Sequence, residues 1–316
     1  MSGLKCKICG NESGNELIVL QERQLGLGDR FEYIVCSDCK CIQIRNIPDN
    51  MNRYYPADYY AFDEPQFPSK LNWFNFFLKK SLIRFYMGYT DPVGFVLSKK
   101  FPHPFPWIRK RELDLNSRIL DVGTGSGRKL LSLARSGFRD LTGIDPFIPG
   151  DIIHENGVRI LRKNISEAEG EYDLITLHHS FEHMPDPHEV VKHIDRLLAN
   201  NGTAVIRIPV ADCHAWHLYG EFWVGLDAPR HFFIHTRKSI EILLKSTNLT
   251  IDEVVYDSGP LQFIRSEKYR MGLTMTAPDD MFTEEQLAFY SQEAEKLNRE
   301  GNGDMACFYI KKTGAK

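Results

Sequence analysis

The chain has 316 residues, 42% of them hydrophobic and 26% charged, with a formal net charge of −3. That is enough apolar material for one large or two modest domains with a real core, and so even a charge balance argues against a nucleic-acid coat, so no nucleic-acid partner is expected. No run approaches eighteen apolar residues and the start, MSGLKCKICG, lacks the apolar stretch of an export signal, so stable membrane insertion is not expected and a cytoplasmic location is.

Five of the seven cysteines fall in the first 41 residues, as Cys6-x-x-Cys9 and Cys36-x-x-Cys39 with Cys41 just beyond. In a reducing compartment such cysteines point to metal or burial before disulfides. Two Cys-x-x-Cys turns supply the tetrahedral sulfur set that Zn2+ prefers, and four thiolates leave no open position, so a structural zinc on Cys6, Cys9, Cys36 and Cys39 is expected. Cys41 is the alternative to Cys39, and a redox pair or buried thiols are the alternative to zinc. Between the pairs, FEYIV suits a small β-ribbon, so residues 1–48 form a zinc-ribbon module.

Residues 49–112 differ in character. MNRYYPADYYAF is rich in tyrosine, and LNWFNFFLKKSLIRFYMG, 71–88, carries apolar residues around Lys79, Lys80 and Arg84. From 65 to 111 there are nine basic residues (Lys70, Lys79, Lys80, Arg84, Lys99, Lys100, Arg109, Lys110 and Arg111) and one acid, Asp91. Such a segment is either a surface for anionic partners, including peripheral membrane contact, or an amphipathic cap with its lysines in water. FPHPFPW then reads as a stiff linker.

From Ser117 the rhythm is β-α-β. SRILDV predicts a strand, GTGSG a glycine turn, RKLLSLARSG a helix ending at Gly137, and LTGID a second strand; strands also follow in HENGVRILRKNIS, YDLITLHHS and GTAVIRIPV. Gly123, Gly125 and Gly127 make G-x-G-x-G rather than the dinucleotide G-x-G-x-x-G, so a pyrophosphate cradle is not the reading. Glycines here let a ligand approach the backbone, and Asp145, ending the second strand, suits two ribose hydroxyls. Next, His179-x-x-Glu182-His183 matches an inverted zinc-protease motif. Pro185 denies it a helix, so a peptidase is not expected. Residues 211–236 are an excursion dense in aromatics and histidines, read as a lid. LTIDEVVYDSG and ACFYIKK predict the last strands, and between them TEEQLAFYSQEAEKLNREG predicts a helix with a Thr283/Gln286 capping box.

LDVGTGSG, GIDP and YDLITLHHSFEHMPDP resemble the motifs of class I S-adenosylmethionine-dependent methyltransferases. The resemblance covers about 115–257, with ACFYIKK similar to the final strand. It implies an α/β fold: a Rossmann-like seven-stranded sheet over 113–316, with the lid at 211–236 and a helical insertion at about 265–303. CKIC…CSDCKC followed by NRYYPADYY is similar to bacterial methyltransferases with a zinc-binding N-terminus that act on sugars or other small metabolites. By position, Gly123, Thr124 and Gly125 would face the methionine part of the cofactor and Asp121 its amino group, with Gly127 also in the cofactor-binding turn. Asp145 and Pro146 would meet the ribose, while His179 and Ser180 would touch the cofactor. Asn164 stands where many relatives place an aspartate near the adenine. Family members have a similar Leu-Asp-x-Pro-Arg-His sequence in the excursion, which implies acceptor contacts by Tyr219, Trp223 and Arg230, the last toward an anionic group; the alternative is that Asp227, Arg230 and His231 tie the lid to the sheet by internal hydrogen bonds and that Tyr219 and Trp223 pack. His183 and His231 are the candidate bases, His183 as a base or orienting group, with a structural hydrogen bond as its alternative. Glu182 and His183 also match part of a Glu-x-x-Glu-His ion site of quinone-biosynthesis O-methyltransferases, with His179 replacing the first carboxylate. The expected activity is methyl transfer to a polar or anionic small molecule, and the helical insertion either covers the substrate mouth or makes a homodimer contact, between which its sequence does not choose. RNA or protein methylation and a non-catalytic adenosylmethionine sensor are the alternatives.

Overall fold

The structure is a computed structural model that describes residues 4–55, 72–109 and 112–314. Part of the tyrosine-rich stretch, 56–62, together with Lys70, Leu71, Lys110 and Arg111, lies outside the described residues.

The chain divides into two compact units. One comprises Met1–Ala57, His179–Lys192 and Ile206–Ile310, the other Asp58–His178, His193–Val205 and Lys311–Lys316.

In the first unit a four-stranded antiparallel sheet has the order β1-β2-β3-β10, with β1 at Glu16–Gln21, β2 at Arg30–Val35, β3 at Ile42–Ile44 and β10 at Phe233–Ile234. β1 and β2 pair from Glu16↔Val35 to Gln21↔Arg30, and Tyr33 and Ile34 of β2 are buried. Each cysteine knuckle closes by a backbone bond four residues back, Gly10 N to Cys6 O at 3.0 Å and Lys40 N to Cys36 O at 3.1 Å. Gly10 takes the left-handed backbone this needs, φ 75°; Lys40 takes it too, φ 59°, in spite of its Cβ. The fourth strand, β10, comes from the excursion expected to be a lid. It pairs with β3 through Phe233↔Gln43 and Ile234↔Ile42. Thr236 Oγ1 donates to Cys39 O at 2.6 Å, and Tyr33 Oη donates to His231 O at 2.9 Å. The end of the excursion is thus stitched to the cysteine module.

The larger sheet has the order β11-β12-β9-β8-β4-β5-β7-β6. Its strands are β4 at Arg118–Val122, β5 at Asp140–Ile144, β6 at Ile152–Ile153, β7 at Arg159–Leu161, β8 at Tyr172–His178, β9 at Leu198–Pro209, β11 at Leu249–Tyr256 and β12 at Met305–Lys312. β8, β4, β5 and β7 are mutually parallel. The central strands are apolar on both faces, as a sheet flanked by helices requires. The sheet has eight strands where seven are expected: β6 is an added two-residue strand, antiparallel to β7. The Gly157 turn folds it back, with Gly157 N on His154 O at 2.9 Å.

Helices α1, Trp73–Tyr86, and α2, Pro92–Ser98, precede this sheet. α1 buries Ser81 and Ile83 but leaves Trp73 77% exposed and Phe74 58% exposed, so its aromatic end is not a buried cap. α3, Arg128–Ala134, turns Leu130 and Leu133 inward, each contributing about 1.5–3 kcal/mol by burial. α4 is Pro187–Leu197, α5 His214–Tyr219, α6 Arg237–Leu244 and α7 Leu261–Arg270. α8, Glu284–Arg299, starts with the expected capping box: Gln286 N donates to Thr283 Oγ1 at 3.2 Å, and Thr283 N donates to Gln286 Oε1 at 2.9 Å. No helix among the described residues is long and apolar enough to cross a membrane.

Candidate functional site

The glycine turn joins β4 to α3. Gly123, Gly125 and Gly127 all have left-handed backbones, φ 72°, 53° and 75°. At Gly127 the reason is also steric, since a Cβ there would meet Ile160 Cδ1 at 2.0 Å. Gly123 N and Thr124 N donate to Ile144 O at 2.9 and 3.2 Å, tying the turn to the end of β5. The next residue, Asp145, is nearly buried; its Oδ2 accepts from Gly125 N and its Oδ1 from Phe147 N, both at 2.9 Å. Burial pushes the Asp145 carboxyl above its ordinary value, against these two bonds. Each oxygen keeps a second lone pair for another donor. Asp121 is buried below the turn, its Oδ1 accepting from Thr176 Oγ1 at 2.6 Å and Lys129 Nζ at 3.0 Å. Lys129, the second residue of α3, pairs with the acid expected to meet a cofactor amino group.

A second cluster follows β8 in the chain. His179 takes a left-handed backbone, φ 53°, which costs a non-glycine residue about 1–2 kcal/mol. It is held by its N–H on Arg207 O at 2.9 Å and by ring contacts to Arg207 and to Glu182 Oε1, the latter at 3.5 Å. Residues 181–183 form one 3-10 turn and Met184 is extended, so the protease-like spacing never becomes a helix. Glu182 is fully buried, and neither carboxylate oxygen has a hydrogen-bond partner among the described residues. Burial opposes its ionisation, yet the imidazoles of His179, His183 and His231 outweigh that and hold its carboxyl at about 2. His231 Nε2 stands 3.9 Å from Glu182 Oε1 and 3.7 Å from Asp227 Oδ2. His231 Nδ1 bonds to Gly225 O at 2.8 Å, and His183 Nδ1 bonds to Arg230 O at 2.7 Å. The rings of His183 and His231 meet edge to face, 4.9 Å apart. Burial lowers the pKa of His231, against the pull of Asp227.

In the N-terminal sheet, Cys6, Cys9, Cys36 and Cys39 bring their sulfurs within 4.8 Å of one another, with Cys6 to Cys39 at 3.6 Å and Cys9 to Cys36 at 3.5 Å. A tetrahedron with metal–sulfur bonds of about 2.3 Å needs sulfurs roughly 3.8 Å apart, so the set fits zinc. Cys41 is buried and outside it, its thiol directed at Ile42 O.

Residues 99–254 match the model of a family described as methyltransferase domain. They are a methyltransferase domain. The match spans just under half of the chain, over the segment that carries the parallel strands β4, β5, β7 and β8. The chain is 33% identical over 66 residues to the EEF1A lysine methyltransferase 2 of Homo sapiens, covering 19% of this chain and 28% of that protein. It is 32% identical over 113 residues to the ubiquinone biosynthesis O-methyltransferase of Bordetella avium, 32% of this chain and 46% of that protein. The chain thus spans less than half the length of these curated relatives. Among solved structures it is similar to the O-methyltransferase from a trans-AT PKS multienzyme of Brevibacillus brevis in complex with S-adenosyl-L-homocysteine, 16% identical, covering 62% of this chain and 67% of that one, with a TM-score of 0.39.

The turn of the methyltransferase domain has room in its chemistry for such a cofactor. Thr124 Oγ1 is buried with no hydrogen-bond partner among the described residues, an orphan that a ligand would satisfy. Pro146 follows Asp145, and Phe147 beyond it is 80% exposed. Asn164 is exposed just past β7, its backbone N–H on Glu167 Oε2 at 2.8 Å. Ser180 is buried between β8 and the 3-10 turn, its carbonyl accepting from His183 N at 3.1 Å.

Three expected acceptor contacts are used internally instead. Arg230 is 0% exposed: Nη2 lies 2.5 Å from Asp227 Oδ1 and 3.3 Å from Glu22 Oε1, Nε lies 3.0 Å from Asp227 Oδ2, and Nη1 donates to Tyr54 O at 3.2 Å. A guanidinium so occupied is not presented to an anionic acceptor. Trp223 is buried, with Nε1 donating to Asp304 Oδ2 at 3.1 Å, and Tyr219 is buried edge-on to Phe263. Both are packing residues. The structure also regroups the second cluster: His231, not His179, joins Glu182 and His183 within 4.8 Å.

Proposed function

We propose that the chain transfers a methyl group from S-adenosylmethionine to a small polar acceptor, a sugar or sugar nucleotide, and carries a structural zinc on Cys6, Cys9, Cys36 and Cys39. The observation that carries the reading is the glycine turn whose Gly125 N–H binds Asp145 within a matched methyltransferase segment. In this reading Asp145 accepts the ribose hydroxyls through its remaining lone pairs, Thr124 Oγ1 gains its missing partner, and the left-handed glycines keep side chains out of the way. The bound cofactor supplies an electrophilic methyl on a sulfonium. The residues then need only align the acceptor and take its proton, which a neutral imidazole can do. His183 and His231 are the proposed proton acceptors, kept in one orientation by the carbonyls of Arg230 and Gly225.

The sugar assignment rests on the likeness of the cysteine module and NRYYPADYY to bacterial enzymes of that type. The module at 1–48, the basic segment at 49–112 and the catalytic region at 113–316 are the proposed divisions of labour. Incubation with isotopically methyl-labelled S-adenosylmethionine and a panel of nucleotide sugars tests the reading. Label in a sugar product, lost in His183→Ala, supports it; label only in protein or RNA substrates refutes the acceptor class.

A further inference from the structure

We infer that the helical hairpin of α1 and α2 is a docking surface for an anionic lipid bilayer, its exposed rings entering the interface and its lysines meeting the headgroups. The inference does not rest on the methyl-transfer reading. The hairpin lies wholly in the compact unit that includes Asp58–His178.

The first observation is an apolar tip that the fold leaves in solvent. The C-terminal half of α1 is anchored, burying Ser81 and Ile83, with Met87 buried just beyond. α2 is seated on it at Gly94, where a Cβ would clash with Ser81 O, and Phe85 meets Phe95 edge to face at 5.7 Å. The other end of α1 stands out from this root: Trp73 is 77% exposed, Phe74 and Phe77 are exposed beside it, and Trp73 stacks on Phe77 at 5.9 Å. On α2 and just after it, Phe95, Val96 and Phe101 are exposed as well. Exposed apolar residues scattered singly are ordinary, whereas a cluster on one hairpin marks a contact surface.

The second observation is charge. Residues 72–109 hold six bases, Lys79, Lys80, Arg84, Lys99, Lys100 and Arg109, and one acid, Asp91, which pairs with Arg84 at 3.4 Å. Lys79, Lys80, Lys99 and Lys100 have no acidic partner among the described residues. Lys99 Nζ lies 5.0 Å from the ring centre of Phe95, and Lys100 Nζ lies 5.8 Å from that of Phe101, so the cations stand beside the exposed rings. Rings with lysines at their rim are the arrangement of an interfacial helix, whose apolar side sinks to the acyl boundary while the ammonium groups reach the phosphates.

These two features together select the partner. A second copy of the chain would bring the same lysines face to face, and like charges oppose such a contact. A nucleic acid needs ring faces free for its bases, but Trp73 and Phe77 cover one another and Val96 has no ring to offer. An anionic bilayer answers both features: the rings gain apolar burial, and each lysine adds attraction within a screening length of about 8 Å at physiological salt. Neither helix is long and apolar enough to cross a membrane, so the contact is peripheral.

The experiment is co-sedimentation of the purified full chain with vesicles of phosphatidylcholine containing phosphatidylglycerol, and with vesicles of phosphatidylcholine alone. The wild-type chain is expected to bind the anionic vesicles about tenfold or more tightly than the neutral ones, with the preference fading at high salt. Trp73→Ser combined with Phe74→Ser, and Lys99→Glu combined with Lys100→Glu, are each expected to weaken that binding by about tenfold or more. All four side chains are exposed, so the circular dichroism of both variants should match the wild type. Phe289→Ser, an exposed ring on α8, is expected to leave vesicle binding as it is. Absence of binding to the anionic vesicles by the wild-type chain overturns the inference whether or not the variants fold. Equal binding to neutral vesicles, or undiminished binding in either folded double variant, also overturns it. A dimer in lipid-free sedimentation equilibrium that Trp73→Ser with Phe74→Ser dissolves would assign the face to a second copy and overturn it as well.

Discussion

Arg230→Gln separates two roles for one residue. A substrate-gripping arginine would be dispensable for folding, and its loss would appear only in acceptor affinity. The structure assigns it to the interior, bidentate on Asp227, in contact with Glu22 and donating to Tyr54 O, with its side chain at 0% exposure. Glu22 is itself 0% exposed and also accepts from Leu25 N at 2.8 Å and Leu27 N at 2.9 Å, so it has no route to solvent when the guanidinium goes. Breaking a buried pair by removing one partner costs about 3–5 kcal/mol, because the remaining charge stays buried. Against a typical stability of about 5–15 kcal/mol that is a large fraction. With a urea slope of about 3 kcal/mol per molar, the midpoint should fall by roughly 1–2 M, read by circular dichroism. Arg230→Lys should recover part of the loss, because a point charge cannot reproduce the bidentate fork. An Arg230→Gln midpoint unchanged within about 0.3 M, against that slope, would refute the buried-anchor account.

Other consequences follow from single contacts. Gly127→Ala forces a Cβ against Ile160 at a left-handed φ of 75°; overpacking and backbone strain together should cost about 2–4 kcal/mol and weaken cofactor binding, measured by thermal unfolding and calorimetry. Asp145 has a carboxyl pushed up by burial, and its ionised form is the better acceptor for ribose hydroxyls. Affinity for S-adenosylhomocysteine should therefore be complete at neutral pH and begin to fall, on acidification, above the pH at which an ordinary carboxylate titrates; a pH-independent affinity through that range would contradict the ribose role. Strong chelation should remove about one zinc per chain and destabilise the sheet made by β1, β2, β3 and β10, seen as faster proteolysis near Cys36. A chain folded with reduced cysteines and no zinc would defeat that assignment.

Local chemistry made much of this legible. Glycines at alternate positions after an apolar strand, and an acid ending the next strand, announce a backbone turn open to a ligand, and the turn forms as read. Paired Cys-x-x-Cys turns likewise announce their convergence. What escaped depends on contacts distant in the chain. For Arg230 the sequence leaves a ligand grip and an internal tie equally open, and Glu22, 208 positions away, decides for the internal tie. Phe233 and Ile234 read as lid residues because two residues carry no strand period; only the open edge of β3 makes them a strand. Lys129 was hidden as one more helix-surface lysine. Likewise His179 lies at the right spacing for Glu182 and touches it at 3.5 Å while also contacting Arg207, but His231, which approaches the same carboxylate, arrives from another segment. β6 has too few residues to leave a pattern.

The central claim is that the turn at Gly123–Gly127, with Asp145, grips a sulfonium nucleoside. Calorimetric titration of S-adenosylhomocysteine into the full chain tests it most directly. The account predicts one site per chain, weakened about tenfold or more in Asp145→Ala, which removes a bidentate acceptor worth roughly 1.5–3 kcal/mol. Absence of any binding heat under conditions where the chain is folded, or an unchanged affinity in Asp145→Ala, would contradict it.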